Sequence, residues 1–219
     1  MSNFPGSPWL LKGALVVFET LAPIPTNIIV FQYNPETMTR SLEQQGRDYQ
    51  LGQNSGDTLH IQYPPLESFT LSVELDAADQ LELSNPLAVA TGLHPTLAAL
   101  ELLLYPMSAL LILNKALALA GSAMITPPAL PMVLFVWGPA RVVPVKVTSV
   151  SVTEQAFDQL LNPIQARVEL GLRTLGIDEL ATVGPPFDTL WLVNLIAKEA
   201  LARLNVVNSA QQIRGMLPF

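Results

Sequence analysis

The groups in this sequence that could do chemistry are few and widely spaced. His60 and His94 are the only imidazoles in 219 residues. A hydroxyl or water nucleophile needs such a base within hydrogen-bond reach, with a third group to orient it. His60 instead lies in a polar stretch flanking a strand, and His94 stands beside Pro95 and reads as a helix-start or surface residue. Asp76, Asp79 and Glu82 are close enough in sequence to hold a hard cation or to act as an acid/base pair, although a solvated turn is the better reading. The chain has no cysteine, which removes disulfides, thiolate nucleophiles and cysteine-ligated metals. Glycine-rich phosphate loops and histidine pairs at metal spacing are missing as well. No cofactor, no metal and no enzymatic activity are expected.

Composition points toward assembly. Half of the residues are hydrophobic and only 13% are charged, whereas a soluble monomer carries about a quarter charged residues. Part of the apolar surface is therefore expected to be buried against other chains. A membrane span would also absorb it, but a spanning helix needs about 20 consecutive apolar residues. Within Leu97–Gly138, Pro106 interrupts one run, Asn114 and Lys115 close it, and Pro127, Pro128 and Pro131 punctuate the next, which Pro139 ends. A membrane role is thus not expected. Met1–Pro8 has no basic region of the signal-peptide kind, and Glu19, Pro23 and Pro25 bound the apolar run that follows. The cytoplasm of the producing cell is the expected location. A net charge of −7 and sparse aromatics argue against nucleic acid as a partner.

The elements that must position any site read mainly as strands. Trp9–Glu19 and Asn27–Tyr33 are apolar and β-branched and are separated by the turn text Pro23-Ile24-Pro25-Thr26, which predicts a strand pair. Asn34-Pro35 ends it, and a third strand is expected over Thr37–Glu43. Gln44–Gln62, polar and glycine-containing, suits a long exposed arm. Leu66–Asp76 alternates strictly, with Phe69, Leu71, Val73 and Leu75 on one face and Ser68, Thr70, Ser72 and Glu74 on the other. Helices are expected over Thr96–Tyr105, with Pro95 in the first turn, and over Ser108–Ala120. Strands return at Met132–Trp137, Arg141–Thr153 and Gln165–Leu175. In the second of these the inward set shifts from Val143, Val145 and Val147 to Val150 and Val152, the mark of a bulge. Gly184-Pro185-Pro186 reads as a hinge. Asp188 reads as the N-cap of a helix over Thr189–Asn205 with Leu190, Val193, Ala197, Leu201 and Leu204 on one stripe.

Four stretches together carry a resemblance. They are Phe31-Gln32-Tyr33-Asn34-Pro35-Glu36-Thr37-Met38-Thr39-Arg40, then Pro65-Leu66-Glu67-Ser68-Phe69 continuing to Asp76, then Leu134-Phe135-Val136-Trp137-Gly138, and finally Glu154-Gln155-Ala156-Phe157-Asp158 with Asn162-Pro163-Ile164-Gln165-Ala166-Arg167-Val168. In that order the sequence resembles the tube-type baseplate proteins of contractile injection systems, relatives of phage tail-tube and tube-initiator subunits. The similarity spans roughly Trp9–Leu175.

The resemblance implies a fold that is mainly β with flanking helices (α+β), a bent two-sheet antiparallel β-barrel. Residues 1–178 would form the barrel, with a helical insertion at about 86–121, and residues 179–219 a hinge and a terminal amphipathic helix. It further implies a homo-oligomeric ring of six copies whose inner strands line a channel. That ring would join a spike protein to an inner-tube protein among other baseplate proteins, in a phage-tail-like particle. The repeating tube subunit is an alternative within the same class, and a membrane-attached or lipid-binding barrel is one outside it. Candidate interface residues are Phe31, Tyr33, Asn34, Pro35, Arg40, Glu67, Asp76, Trp137, Gly138, Phe157, Asn162, Pro163 and Arg167. Asn34-Pro35 would fix a strand end, Trp137-Gly138 a turn, and the Arg167 fork would meet a carboxylate across an interface. Fold-keeping turn chemistry accounts for each of them equally well. Many members of the family carry a LysM module at the C-terminus. Asp188-Thr189-Leu190-Trp191 only faintly echoes its start, with Phe187 where a glycine is expected.

Overall fold

The computed structural model describes residues 11–18, 24–44, 64–121, 127 and 129–213, with side chains as far as Asn205. Alternating apolar text becomes seven strands: β1 (Ala14–Phe18), β2 (Asn27–Val30), β3 (Met38–Glu43), β4 (Leu66–Asp76), β5 (Met132–Val136), β6 (Val142–Phe157) and β7 (Pro163–Thr174). The helical segments are α1 (Ala78–Glu82), α2 (Pro86–Thr91), α3 (His94–Glu101) with a 3-10 turn at Leu102–Leu104, α4 (Ser108–Leu119), α5 (Ile177–Ala181) and α6 (Phe187–Ile213). The chain is therefore mixed, as expected. The Gln44–Gln62 arm beyond Gln44, His60, and the outer parts of the Trp9–Glu19 strand lie outside the described residues.

All seven strands belong to one antiparallel sheet in the order β2-β1-β5-β6-β7-β4-β3. Among the described residues no pairing joins β2 to β3. The expected closure into a two-sheet barrel is not present in them, and the sheet has two open ends. The inward alternation of β4 is as the sequence predicts: Phe69, Leu71, Val73 and Leu75 are buried, while Thr70 and Glu74 are exposed. The expected phase shift in β6 is a register break between Val147 and Ser149, which returns Val150 and Val152 to the side of the core. Without that extra residue every inward side chain beyond it would turn to solvent.

Leu15, Val17, Phe69, Phe135, Val145 and Leu170 form the centre of the main core, and α3 closes over it with Leu97, Leu100 and, from the 3-10 turn, Leu103. Full burial of each such leucine contributes about 1.5–3 kcal/mol. Pro95 falls in the first turn of α3, as predicted, where its missing N–H costs nothing. A second, smaller core lies under α6, where Phe18, Leu180 and Phe187 are buried and Val16, Met132, Leu134, Leu190 and Trp191 pack around them. The Phe18 and Phe187 rings meet edge-on at 5.1 Å.

Two details of α6 differ from the sequence reading. The helix starts at Phe187, so Asp188 sits inside the first turn and its Oδ1 accepts from the Thr189 N–H at 2.7 Å. Backbone carbonyls of Gly184 and Pro186 take the Phe187 and Leu190 N–H groups, and so the Pro-Pro segment sets the start. The inward stripe also includes polar residues: Asn194 and Lys198 reach partners on the sheet, whereas Val193, Leu201 and Leu204 are exposed. Counting only apolar positions rotates the predicted face.

Candidate functional site

The run after β2 is held by its own chain. Phe31 is buried, its N–H bonds the Gly13 carbonyl at 2.9 Å, and its ring lies 6.4 Å from that of Trp137. Asn34 closes a two-point clamp, accepting from the Gly13 N–H at 2.9 Å and donating to the Leu11 carbonyl at 2.8 Å. Gly13 has no room for a side chain, since a Cβ would lie 2.7 Å from Phe31 and 2.8 Å from Trp137. Pro35 is half-buried and Tyr33 is exposed. Trp137-Gly138 makes the expected turn, with Gly138 at φ 75° and the Trp137 N–H bonded to the Arg141 carbonyl at 2.8 Å.

The other motif residues meet each other in the same way. Asp76 accepts from Ala78 N–H at 2.7 Å and from the Gln165 amide at 2.8 Å, while its own N–H donates to Gln32 Oε1 at 2.9 Å. That is turn chemistry, and among the described residues no group of three His, Asp or Glu side chains could hold a metal ion. At the β6–β7 hairpin, Asp158 accepts from the Asn162 backbone and side chain, both at 2.8 Å, and from Leu160 N–H at 2.7 Å. The Asn162 side chain, followed by its backbone, holds the Asp158 carboxyl below the usual carboxylate range, and the nearby His94 adds in the same direction. Pro163 is buried, and its carbonyl receives the Leu93 N–H at 2.8 Å, docking the hairpin on the α2–α3 junction. Gly92, at φ 54°, allows that approach, because a Cβ there would collide with the Pro163 carbonyl oxygen. Phe157 is exposed beside this hairpin tip.

Arg167 does meet a carboxylate, but an intrachain one. Its Nη2 lies 2.7 Å from Oε1 of Glu74, directly across the β4–β7 register, and both side chains are more than half exposed. Such a pair contributes at most about 1 kcal/mol. Glu67 is different: its side chain is only 9% exposed, with Lys198 of α6 at 2.5 Å on Oε2 and Arg40 of β3 at 3.4 Å on Oε1. Glu67 has the same phase as Phe69 and Leu71, so alternation alone places it inward. Lys198 and Asn194, whose amide reaches the Val142 carbonyl at 2.6 Å, escaped the sequence reading. Their four-residue spacing on the helix was the available signal.

With these polar groups satisfied internally, what remains for partners is surface. The outer edges of β2 and β3 are unpaired among the described residues. On one face, β4, β7 and β6 present aligned polar rows such as Thr70–Gly171–Ser149 and Ser72–Glu169–Ser151. By contrast, α4 is apolar at nine of its 12 residues and buries none of them. Ile112 and Leu119 are 69% and 82% exposed. An apolar cleft of about 420 Å³ runs between α4 and the body, lined by Val17, Ala99, Leu103, Pro106 and Leu111 among others. Among the described residues no single helix is long and apolar enough to cross a membrane, although α3 with its 3-10 turn and α4, bent by 52°, pass together on length and composition. Compared with protein-family models and with curated proteins, this sequence matches none.

Proposed function

We propose that this chain is a structural baseplate subunit of a phage-tail-like contractile injection system. It forms a ring, of six copies by the resemblance, that joins the spike to the inner tube and starts tube polymerisation. The observation that carries the reading is a sheet whose two edges are unpaired among the described residues, beside an apolar helix, α4, that the core leaves uncovered. A lone domain blunts such edges and hides such helices, whereas a subunit uses them on its neighbours. The serine- and threonine-rich rows on β4, β7 and β6 suit a channel wall, since short neutral hydroxyl side chains bind passing cargo weakly. The same arrangement fits the repeating tube subunit. Electron microscopy and mass photometry of the purified protein test the proposal: rings, alone or on addition of spike and tube proteins, are expected. A monomer under all these conditions would remove the proposal.

A second reading, attachment to a lipid surface, is favoured specifically by α4 and its bent pairing with α3. Co-sedimentation with neutral phosphatidylcholine vesicles separates the two. Replacing Leu111 and Ile112 by serine leaves the fold intact, because neither is buried, and would abolish vesicle binding in the second reading. Parent protein that stays in the supernatant excludes that reading.

A further inference from the structure

Glu67 is the one buried carboxylate among the described residues. Its two oxygens are engaged by different cations from elements that otherwise lie far apart in the chain. Arg40 comes from β3, the last strand of the sheet, and Lys198 from the middle of α6. We propose that Glu67 couples the open edge strand β3 to the terminal helix, so that whatever steadies one steadies the other.

The argument is geometric. Glu67 is fixed along the backbone by β4, where its N–H bonds the Thr174 hydroxyl at 3.2 Å, leaving the carboxylate to orient between its two cations. Each cation holds one oxygen and thereby aims the other, and losing either frees the carboxylate to rotate away from its remaining partner. Lys198 is also the last side chain of α6 with a hydrogen bond or ion pair to the sheet among the described residues. Beyond it, residues 199–205 are all exposed. The direction of the outboard half of α6 is therefore set at Lys198, and Lys198 is set by Glu67. Arg40, for its part, belongs to a strand in which five of six residues are exposed and which, among the described residues, is hydrogen-bonded on one side only, so its position is easily shifted by anything that pairs with the other edge. Coupling free energy is reciprocal by thermodynamic necessity. The inference is independent of the ring reading, since it concerns one chain in solution.

Hydrogen–deuterium exchange on the isolated protein tests it. Arg40→Met, a change in β3, is expected to speed amide exchange in residues 195–205 by about threefold, and Lys198→Met to speed exchange in β3 by a similar factor, the scale of a half-exposed ion pair. Glu67→Gln is expected to loosen both, by about tenfold or more, because a hydrogen-bonded buried charge is lost. Reciprocal effects of the two cation variants carry the proposal. Each variant loosening only its own element would overturn it, as would a uniform rise across β4, β6 and β7, which marks a merely structural role. Should Glu67→Gln fail to fold, the two cation variants still decide the matter, because both remove heads that are partly in solvent.

Discussion

Asn34→Ala separates fold-keeping from interface roles in the motif that carries the family resemblance. The substitution removes two hydrogen bonds, one accepted from the Gly13 N–H and one donated to the Leu11 carbonyl. Leu11 is exposed, so its carbonyl regains water and the loss there is about 0.5–1 kcal/mol. Gly13 is buried between Phe31 and Trp137, and its stranded N–H costs about 1–3 kcal/mol. Together these give about 2–3 kcal/mol, or a fall in Tm of roughly 5–10 °C for a chain of this size. Urea denaturation of the monomer should show the midpoint falling at unchanged m. Asn34→Asp keeps the acceptor for Gly13 and loses only the donor, so about 1 kcal/mol is expected. A monomer within about 0.5 kcal/mol of the parent that no longer assembles would refute the reasoning and place Asn34 between copies.

Three further outcomes follow from the packing. Gly92→Ala combines a left-handed backbone with a collision against the Pro163 carbonyl, so the hairpin cannot dock; a loss above about 3 kcal/mol or insoluble expression is expected, read by denaturation and soluble yield. Phe187→Ala empties the small core under α6 and should cost about 3–5 kcal/mol, with exchange rising first in Phe187–Ile213. The lowered pKa of Asp158 means that its contribution is fully present above the ordinary carboxylate value and is lost as pH falls through the folded-state value. Stability measured from pH 7 down to pH 2 should therefore decline less steeply in Asp158→Asn than in the parent; parallel curves would count against that assignment.

Strands with uninterrupted alternation were legible from the sequence. Leu66–Asp76 is β4 to the residue, because Phe69, Leu71, Val73 and Leu75 alternate without a break with Ser68, Thr70, Ser72 and Glu74. The β6 bulge was legible for the same reason, since valines mark each phase. Barrel closure was not, because it depends on whether two short edges meet, and no residue type encodes that. The inward face of α6 was missed because asparagine and lysine became inward residues only through a carbonyl and a carboxylate supplied by distant strands. Of the candidate interface residues, Asn34, Asp76, Asn162 and Arg167 find hydrogen-bond partners within the chain. Hydrogen-bonding capacity can be read from a sequence, but not the address of the partner.

Among the described residues the sheet has an odd number of strands, and every neighbour is antiparallel. Its two outermost strands, β2 and β3, consequently run in the same direction. Copies related by rotation about an axis along the strands would bring β3 of one beside β2 of the next in parallel, the pairing with slanted bonds and slightly less stability per residue. Copies related by a two-fold axis perpendicular to the strands would instead set like edge against like edge, antiparallel. Parity thus divides the possible assemblies: a twofold pair rests on antiparallel backbone bonds, while a ring built through these edges rests on the slightly weaker parallel ones, to which side chains such as those on the bare flank of α4 would add.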